Sequence, residues 1–402
     1  MPDITEVRTV REVIDRMAEI RADEHFLIDP ETNRTLTFRE LRQRAVGFSR
    51  RLLSLGVSKG DRVSFLIDNG LFSLEMILGA MYGGFVPAPL NLAAGQSTMA
   101  STLNHSDATV VFVADEYKDL VSGITTDIQR RLKVIPVHPD HGPEWNGTHI
   151  YKGSLPELDE QDDVLLLYTS GTTGRPKGAV YVHRNLLAAA VNAVSFYELS
   201  VQDRSLCVLP IYHINGLAIT SFPTLLSGGS LVIPRRFNVA SFWNWVVTYH
   251  CTWFALVPTI ISQLVNRTVP DLRGGGTELS HVRFVRSSSA PIAPSLHRTF
   301  EEKFGLPLFE AMGMTEVGDI LSTPHSLVKR KIGSPGIPRH EAKFVDALGR
   351  DLPPHQIGEM VCRGPSVMKG YHKDPAATAA ALSPNGWLKT GDLGYKDEDG
   401  YF

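Results

Sequence analysis

Short apolar runs alternate with amphipathic segments through most of the chain, and this alternation limits the possible folds more than any other feature. Thr37 and Glu40 have the spacing of a capping box, and apolar residues follow at helical intervals until Gly56, so one amphipathic helix is predicted there. The next run, residues 62–67, has the length of a strand and precedes a helical pattern over residues 71–82. Further strand-length runs follow at residues 85–86, 108–114, 164–168, 205–209, 230–233 and 281–285.

Repeated strand and helix units of this kind favour parallel sheets covered by helices. After Gly336 the runs become shorter and turn residues more frequent, which indicates a small antiparallel or barrel-like unit. We therefore predict an α/β fold with two α/β subdomains whose sheets are mostly parallel, plus a small distorted β-barrel. The predicted units are residues 1–199, 200–336 and 337–402.

Composition narrows the class of partner. The chain has 402 residues, 43% of them hydrophobic, which is enough for more than one core, and its formal net charge of -3 shows no basic excess. Nucleic acid and anionic membrane surfaces are therefore disfavoured as partners, and a small molecule is favoured. Only three cysteines occur, without a C-x-x-C spacing, and no run of 18 apolar residues exists. These features predict a cytoplasmic protein with no integral membrane association.

The segment from Tyr168 to Gly178 joins a buried strand to a loop rich in glycine and hydroxyl side chains. Backbone N–H groups of such a loop can converge on a phosphate chain, and Lys177 can place a positive charge beside it. The loop does not match a Walker sequence, because Lys177 is followed by Gly178. A flexible surface turn would have the same composition, but the preceding strand favours a phosphate site.

Five motifs occur in a fixed order along the chain: 169–178 (TSGTTGRPKG), 209–213 (LPIYH), 310–316 (EAMGMTE), 358–364 (GEMVCRG) and 387–392 (WLKTGD). In these motifs the chain resembles the adenylate-forming superfamily of acyl-CoA synthetases, adenylation domains and luciferases. The resemblance implies an acid–thiol ligase that uses ATP, Mg²⁺ and coenzyme A. It also implies that the phosphates are bound by the first motif, through Thr169, Ser170, Gly171, Thr172, Thr173, Gly174 and Lys177.

Two acidic residues gain roles from the resemblance. Glu316 alone would be an ordinary solvated carboxylate, but the resemblance implies that it ligates Mg²⁺ while Thr315 contacts the α-phosphate. Asp392 could equally be a turn residue, and the resemblance implies that it binds the ribose hydroxyls.

The segments implied to enclose the adenine are Ser289, Ala290 and Pro291 on one side and Glu310, Ala311, Met312 and Gly313 on the other.

The adenine segments depart from the superfamily pattern at two positions. Similar enzymes commonly have a glycine where Ser289 stands and an aromatic residue where Met312 stands. A thioether can still cover a purine face by dispersion, so a subfamily variant is indicated.

The acyl pocket is predicted near His213, which ends a strand, together with Gly216, Phe222, Val257 and Ser288. A structural role for His213 and a plain core role for the apolar side chains remain alternatives. No acidic residue in this region is a clear partner for an ammonium group, which favours a non-amino carboxylic acid, aliphatic or cyclic, over an amino acid.

The implied reaction is attack of a carboxylate on the α-phosphorus of ATP, followed by acyl transfer to a thiol. Coenzyme A is favoured over a carrier-protein thiol, and a non-catalytic module that binds ATP or an acyl-adenylate is the alternative. Similar enzymes continue beyond the position of Phe402 into a small C-terminal α+β domain that supplies a lysine. We therefore expect slow adenylation by these 402 residues alone; a dimer is left open.

Overall fold

The computed structural model describes residues 7–126, 128–145, 147, 149–169, 176–267, 279–324 and 329–402. Two non-α helical segments lie among them, a 3-10 turn at Asp115–Tyr117 before α5 and a π-helical segment at Asn215–Ser221 before α7. The α-helices of the described residues are α1 (Val10–Ile20), α2 (Phe38–Ser54), α3 (Leu71–Gly83), α4 (Gln96–His105), α5 (Lys118–Thr125), α6 (His183–Phe196), α7 (Phe222–Ser227), α8 (Phe242–Thr248), α9 (Pro258–Asn266), α10 (Pro294–Phe304) and α11 (Pro375–Ala381).

The strands of the described residues form two large and two small sheets. They are β1 (His25–Ile28), β2 (Thr35–Thr37), β3 (Arg62–Leu66), β4 (Val86–Pro89), β5 (Val110–Ala114), β6 (Lys133–His138), β7 (Gly142–Pro143), β8 (Asp163–Tyr168), β9 (Gly178–Val182), β10 (Arg204–Leu206), β11 (Ser230–Val232), β12 (Trp253–Leu256), β13 (Phe284–Ser287), β14 (Leu308–Met314), β15 (Gly318–Ser322), β16 (Ile337–Pro338), β17 (Glu341–Val345), β18 (Gly358–Arg363), β19 (Gly370–Tyr371) and β20 (Leu388–Gly394).

The two large sheets are mostly parallel, which confirms the predicted α/β class. One has the order β4-β3-β5-β6-β7, and its first four strands are parallel. The other has the order β16-β15-β14-β13-β12-β10-β11-β1-β2, with parallel pairing from β14 to β1 and antiparallel pairs at both edges. Both sheets therefore direct the carboxyl ends of several strands to one edge, where α/β proteins bind ligands.

The strand predicted at residues 164–168 forms, as β8, but it pairs antiparallel with β9 rather than joining a parallel series. The physical reason is the length of the connection, because residues 169–177 are too few for a crossover helix between parallel strands. β19 completes this small sheet by pairing antiparallel with β9. The other small sheet, β17-β18-β20, is also antiparallel, in agreement with the barrel-like unit expected after Gly336.

Strand pairing crosses the predicted subdomain boundaries. β1 and β2 lie within residues 1–199 but belong to the nine-stranded sheet, and β19 lies within residues 337–402 but pairs with β9. The three units stay a prediction from the sequence.

Local sequence explains the helices that border the sheets. The capping box of α2 forms, because Thr37 Oγ1 accepts from the Glu40 N–H and Glu40 accepts from the Thr37 N–H. α3 is buried on almost all sides, which suits its continuous apolar sequence between α1, α2 and the five-stranded sheet. Among the described residues, no helix combines the length and apolar character needed to cross a bilayer.

Candidate active site

The predicted phosphate loop connects β8 to β9 in a hairpin. Its base is closed by a hydrogen bond from the Thr169 N–H to the Lys177 carbonyl, at 2.9 Å, and Tyr168 pairs with Gly178. The residues at the loop tip, Ser170, Gly171, Thr172, Thr173 and Gly174, lie outside the described part of the chain. Their predicted phosphate contacts stay a prediction.

Lys177 leaves the hairpin beside a tyrosine that the sequence analysis did not single out. Its Nζ lies 5.2 Å from the centroid of the Tyr371 ring, within the range of a cation–π contact. The Tyr371 hydroxyl donates to Glu316 Oε1 at 2.6 Å. Tyr371 therefore contacts both the lysine of the first motif and the carboxylate of the third, and the phosphate and metal roles of these two residues stay predictions.

Thr315 and Glu316 occupy the tight turn between β14 and β15. The Thr315 carbonyl accepts from the Tyr181 hydroxyl at 2.8 Å, and the Glu316 carbonyl accepts from the Met368 N–H at 2.8 Å. The turn needs a glycine at position 313, because a Cβ there would lie 2.2 Å from the Gly318 carbonyl oxygen. The backbone on which both predicted phosphate-facing residues stand is thus held from two neighbouring segments.

The donor set near Glu316 suits Mg²⁺ bound mainly by phosphate and water. Glu316 is a hard oxygen donor and is 6% exposed, and no group of three or more His, Cys, Asp or Glu side chains could hold a metal in the described ranges. Magnesium in nucleotide sites commonly uses one or two carboxylates together with substrate phosphates. Glu316 therefore fits the metal that the resemblance implies.

A wide cleft lies between the β14–β16 edge and the small sheet β17-β18-β20. Met312 and Asp392 both line this cleft. These two residues are distant along the chain but line one cleft, and their adenine and ribose roles stay predictions. The arrangement can accept a nucleoside between the two units.

The other predicted adenine residues divide into surface and anchor positions. Ser289, Ala290 and Pro291 are exposed, and Ser289 has a left-handed backbone with φ +70°. Glu310 is buried, and its Oε1 accepts from the Gly333 N–H at 2.9 Å and lies 2.9 Å from His297 Nδ1. The Glu310 carboxylate is thus engaged by the protein itself and fixes the loop that carries Gly333.

The predicted acyl-pocket residues are not all at one surface. His213 is exposed, with its ring centroid 4.7 Å from that of Tyr212, whereas Phe222 is buried in the main core. Val257 packs against the second core. Gly216 serves close packing, because a Cβ there would lie 2.4 Å from the Pro210 carbonyl oxygen.

Ser288, by contrast, lines a small cleft together with Asn215, Ser289 and Arg286. The Asn215 amide donates to Ser288 Oγ at 2.7 Å and to Ser289 Oγ at 3.3 Å. Arg286 also donates to Ser288 Oγ, at 3.0 Å, and to Asn215 Oδ1, at 2.7 Å. The side of this cleft formed by Ser288, Asn215 and Arg286 is therefore polar and internally ordered. Asp319 also lines the cleft, and apolar side chains of Ile214, Ile219 and Met314 line much of the rest.

Arg286 belongs to a buried network that the sequence analysis missed. It is 1% exposed, forms an ion pair with Asp319, and donates to the Tyr197 hydroxyl at 2.8 Å. Arg339 shares Asp319, at 3.0 Å. Burial lowers the pKa of Arg286, but Asp319 and Tyr197 outweigh this effect and raise it, so the guanidinium stays charged. The one available signal was an arginine inside the apolar run of β13.

Comparison with known proteins decides the family. The AMP-binding enzyme family matches residues 14–372 of the chain. The chain belongs to this family. Sulfoacetate–CoA ligase from Cupriavidus necator is 38% identical, over 98% of this chain and 79% of its own length. Feruloyl-CoA synthase from an Amycolatopsis species is 32% identical, over 91% of this chain and 72% of its own length.

Solved structures agree with this membership. ATP-bound MatB from Rhodopseudomonas palustris superimposes with a TM-score of 0.84 at 27% identity, over 98% of this chain and 78% of its own. A putative long-chain-fatty-acid CoA ligase from the same organism gives a TM-score of 0.85 at 27% identity, over 99% and 98%. This AMP-binding enzyme is thus an AMP-forming acid–CoA ligase that uses ATP, Mg²⁺ and coenzyme A, which confirms the predicted enzyme class and co-substrates.

Proposed function

We propose that this AMP-binding enzyme joins coenzyme A to a small carboxylic acid that carries a second acidic group. The observation that carries the proposal is the hydroxyl of Ser288 in the small cleft. Its oxygen accepts from both Arg286 and Asn215, so its hydrogen is left to donate elsewhere. A hydroxyl polarised by a buried guanidinium is a suitable donor for an anion.

The charge of the buried network supports the same class of acid. Arg286 and Arg339 carry two positive charges and share the single negative charge of Asp319, which leaves an excess of one positive charge behind the cleft. Arg286 and Arg339 are both buried, where opposite charges attract more strongly than in water. A carboxylate or sulfonate at Ser288 would offset this excess, whereas an aliphatic or aromatic tail would not.

Two of the similar proteins are named for acids of this class. The 38% identical protein is named for sulfoacetate, and a 32% identical protein from Arabidopsis thaliana is named for oxalate. Both acids combine a carboxylate with a second acidic group.

The proposed roles of the other residues follow the reaction. The substrate carboxylate oxygen bonds to the α-phosphorus while the bond to the β-phosphate oxygen breaks and pyrophosphate leaves; the coenzyme A sulfur then bonds to the acyl carbon and AMP leaves. Lys177 and Thr315 would stabilise the phosphate oxygens, Met312 would cover the adenine and Asp392 would hold the ribose. Bound Mg²⁺, held by Glu316, would neutralise phosphate charge.

The test compares small acids with and without a second acidic group, and it adds one larger phenylpropenoid acid. Acid-dependent exchange of pyrophosphate into ATP would be measured with sulfoacetate, oxalate, butanoate and ferulate. We expect the dianionic acids to have the higher kcat/KM, and we expect Ser288→Ala to lower it for them by roughly tenfold, the value of one hydrogen bond to a charged group. Butanoate should respond little.

Ser227→Ala is the matched control, because Ser227 is equally buried but donates within α7, to the Thr224 carbonyl at 3.1 Å. A preference for butanoate or ferulate over both dianionic acids would refute the proposed acid class. An equal loss for all acids in Ser288→Ala would show that Ser288 supports the fold and does not select the substrate.

A further inference from the structure

Tyr371 stands on a short strand that is fixed to the phosphate hairpin from both ends. It pairs with Ala179 of β9, and hydrogen bonds run from the Lys369 N–H to the Val180 carbonyl at 2.9 Å and from the His372 N–H to the Gly178 carbonyl at 2.7 Å. The backbone at Tyr371 therefore moves with the hairpin that carries Lys177.

The hydroxyl of Tyr371 reaches the turn between β14 and β15, while its ring stays beside the hairpin. Its hydroxyl donates to Glu316 Oε1 at 2.6 Å, a short hydrogen bond to a charged acceptor. Its ring lies 5.2 Å from Lys177 Nζ. One aromatic side chain thus contacts both charged residues that are assigned to the nucleotide phosphates and their metal.

Glu316 depends on this contact for the orientation of its carboxylate. The backbone of the turn is held independently, by Met368 and Tyr181, but among the described residues Tyr371 supplies the hydrogen bond that fixes the carboxylate itself. A glutamate side chain has three rotatable bonds, and a single short hydrogen bond selects which oxygen is turned towards a ligand. Because Oε1 accepts this hydrogen bond, Oε2 is the oxygen that keeps more of its lone-pair capacity for a cation.

We propose that Tyr371 is a positioning residue, which sets the Glu316 carboxylate for the metal through its hydroxyl and supports Lys177 through its ring. This inference rests on the roles of Glu316 and Lys177 in the proposed function. Its consequence is that the β8–β9 hairpin and the β14–β15 turn, which are distant in sequence, keep one relative position while the phosphates are bound.

Two variants separate the hydroxyl from the ring. Tyr371→Phe keeps the ring beside Lys177 and removes the donor, whereas Tyr371→Leu removes both. ATP binding would be measured by calorimetry at several Mg²⁺ concentrations and with the metal chelated. For Tyr371→Phe we expect the apparent Mg²⁺ affinity to fall by roughly five- to twentyfold, as for loss of one hydrogen bond to a charge, with metal-free ATP affinity unchanged. Tyr371→Leu should also weaken metal-free ATP binding.

Tyr249→Phe is the matched control, since the Tyr249 hydroxyl donates to Asn33 at 2.7 Å on another surface. Glu316→Gln supplies the second comparison, and Tyr371→Phe should have no further effect on the Mg²⁺ response in that background. A normal Mg²⁺ response in Tyr371→Phe, beside a lost response in Glu316→Gln, would overturn the positioning role alone. A normal response in both variants would overturn the assignment of Glu316, and the positioning role with it.

Discussion

His183 places a titratable ring in the interior, at the first residue of α6 and against the start of α1. The side chain is fully buried, and Nδ1 accepts from the Val10 N–H at 3.1 Å, so the neutral ring carries its hydrogen on Nε2. Burial lowers the pKa of His183 from 6.5 to about 4. The charged groups that modify this shift are Asp162, Arg11, Lys59 and Asp159.

The sign of the pH dependence follows from where the proton binds. Between pH 6.5 and 4 the unfolded chain binds a proton at His183 and the folded protein does not, so the free energy of unfolding falls as the pH drops through this range. Above pH 6.5 the contribution is fully present. At 1.36 kcal/mol per pH unit, this residue removes about 2 kcal/mol between pH 7.5 and pH 5.

The variant His183→Asn tests this value. The asparagine Oδ1 can replace Nδ1 as acceptor for the Val10 N–H, but it does not titrate. In urea unfolding at pH 7.5 and pH 5.0, the wild type should lose about 2 kcal/mol more than His183→Asn between the two conditions. His372, whose pKa is also lowered by burial to about 4, contributes equally to both proteins and cancels in the difference.

Equal pH dependence of the wild type and His183→Asn would refute the reasoning, since it would mean that the folded protein protonates His183 as easily as the unfolded chain. Limited proteolysis adds a structural readout, because protonation below pH 4 removes the acceptor for Val10 and should expose α1 to cleavage there in the wild type but not in His183→Asn.

The remaining predictions concern backbone geometry and capping. Ser289 has φ +70°, so Ser289→Gly should be about 1 kcal/mol more stable to urea than Ser289→Ala. Glycine relieves the left-handed strain, and its greater freedom in the unfolded chain offsets part of that gain. Gly313→Ala should lose ATP binding in calorimetry, because its Cβ meets the Gly318 carbonyl oxygen at 2.2 Å; Gly47→Ala, with no atom within 4 Å, should bind normally. Thr37→Ala should cost about 1 kcal/mol in urea unfolding, from loss of the α2 cap.

Elements specified by nearby residues were predictable from the sequence. α2 has its capping box and period within one segment, β5 is a continuous apolar run, and β3 is a mainly apolar run interrupted by Ser64. β1 and β9 were not predicted, because each is short and forms through pairing with a strand that is distant in sequence or reversed in direction. Register and direction depend on such pairings, which periodicity alone does not contain.

The residues of the candidate site also fall into two groups, those that sequence motifs indicate and those that only the folded structure reveals. Lys177, Glu316 and Asp392 could be proposed from the sequence because they lie inside motifs whose order is visible in the sequence. Tyr371 and Arg286 were not, since their importance comes from the groups they meet after folding. Tyr371 lies 55 residues from Glu316, and Arg286 occupies a strand position where the apolar pattern predicts an uncharged side chain.

In the proposed function, the acid-binding wall would be supported by Arg286 from the interior of β13. A guanidinium that is 1% exposed would destabilise the fold if it were unpaired. Here Asp319, Tyr197 and Asn215 accept its hydrogen bonds, and the guanidinium keeps its charge. The ligand need not touch Arg286, because Ser288 presents the hydrogen bond and the arginine sets its direction. Selection of the acid would then depend on a hydroxyl whose own loss barely changes volume, which makes Ser288→Ala a cleaner probe than removal of the buried charge.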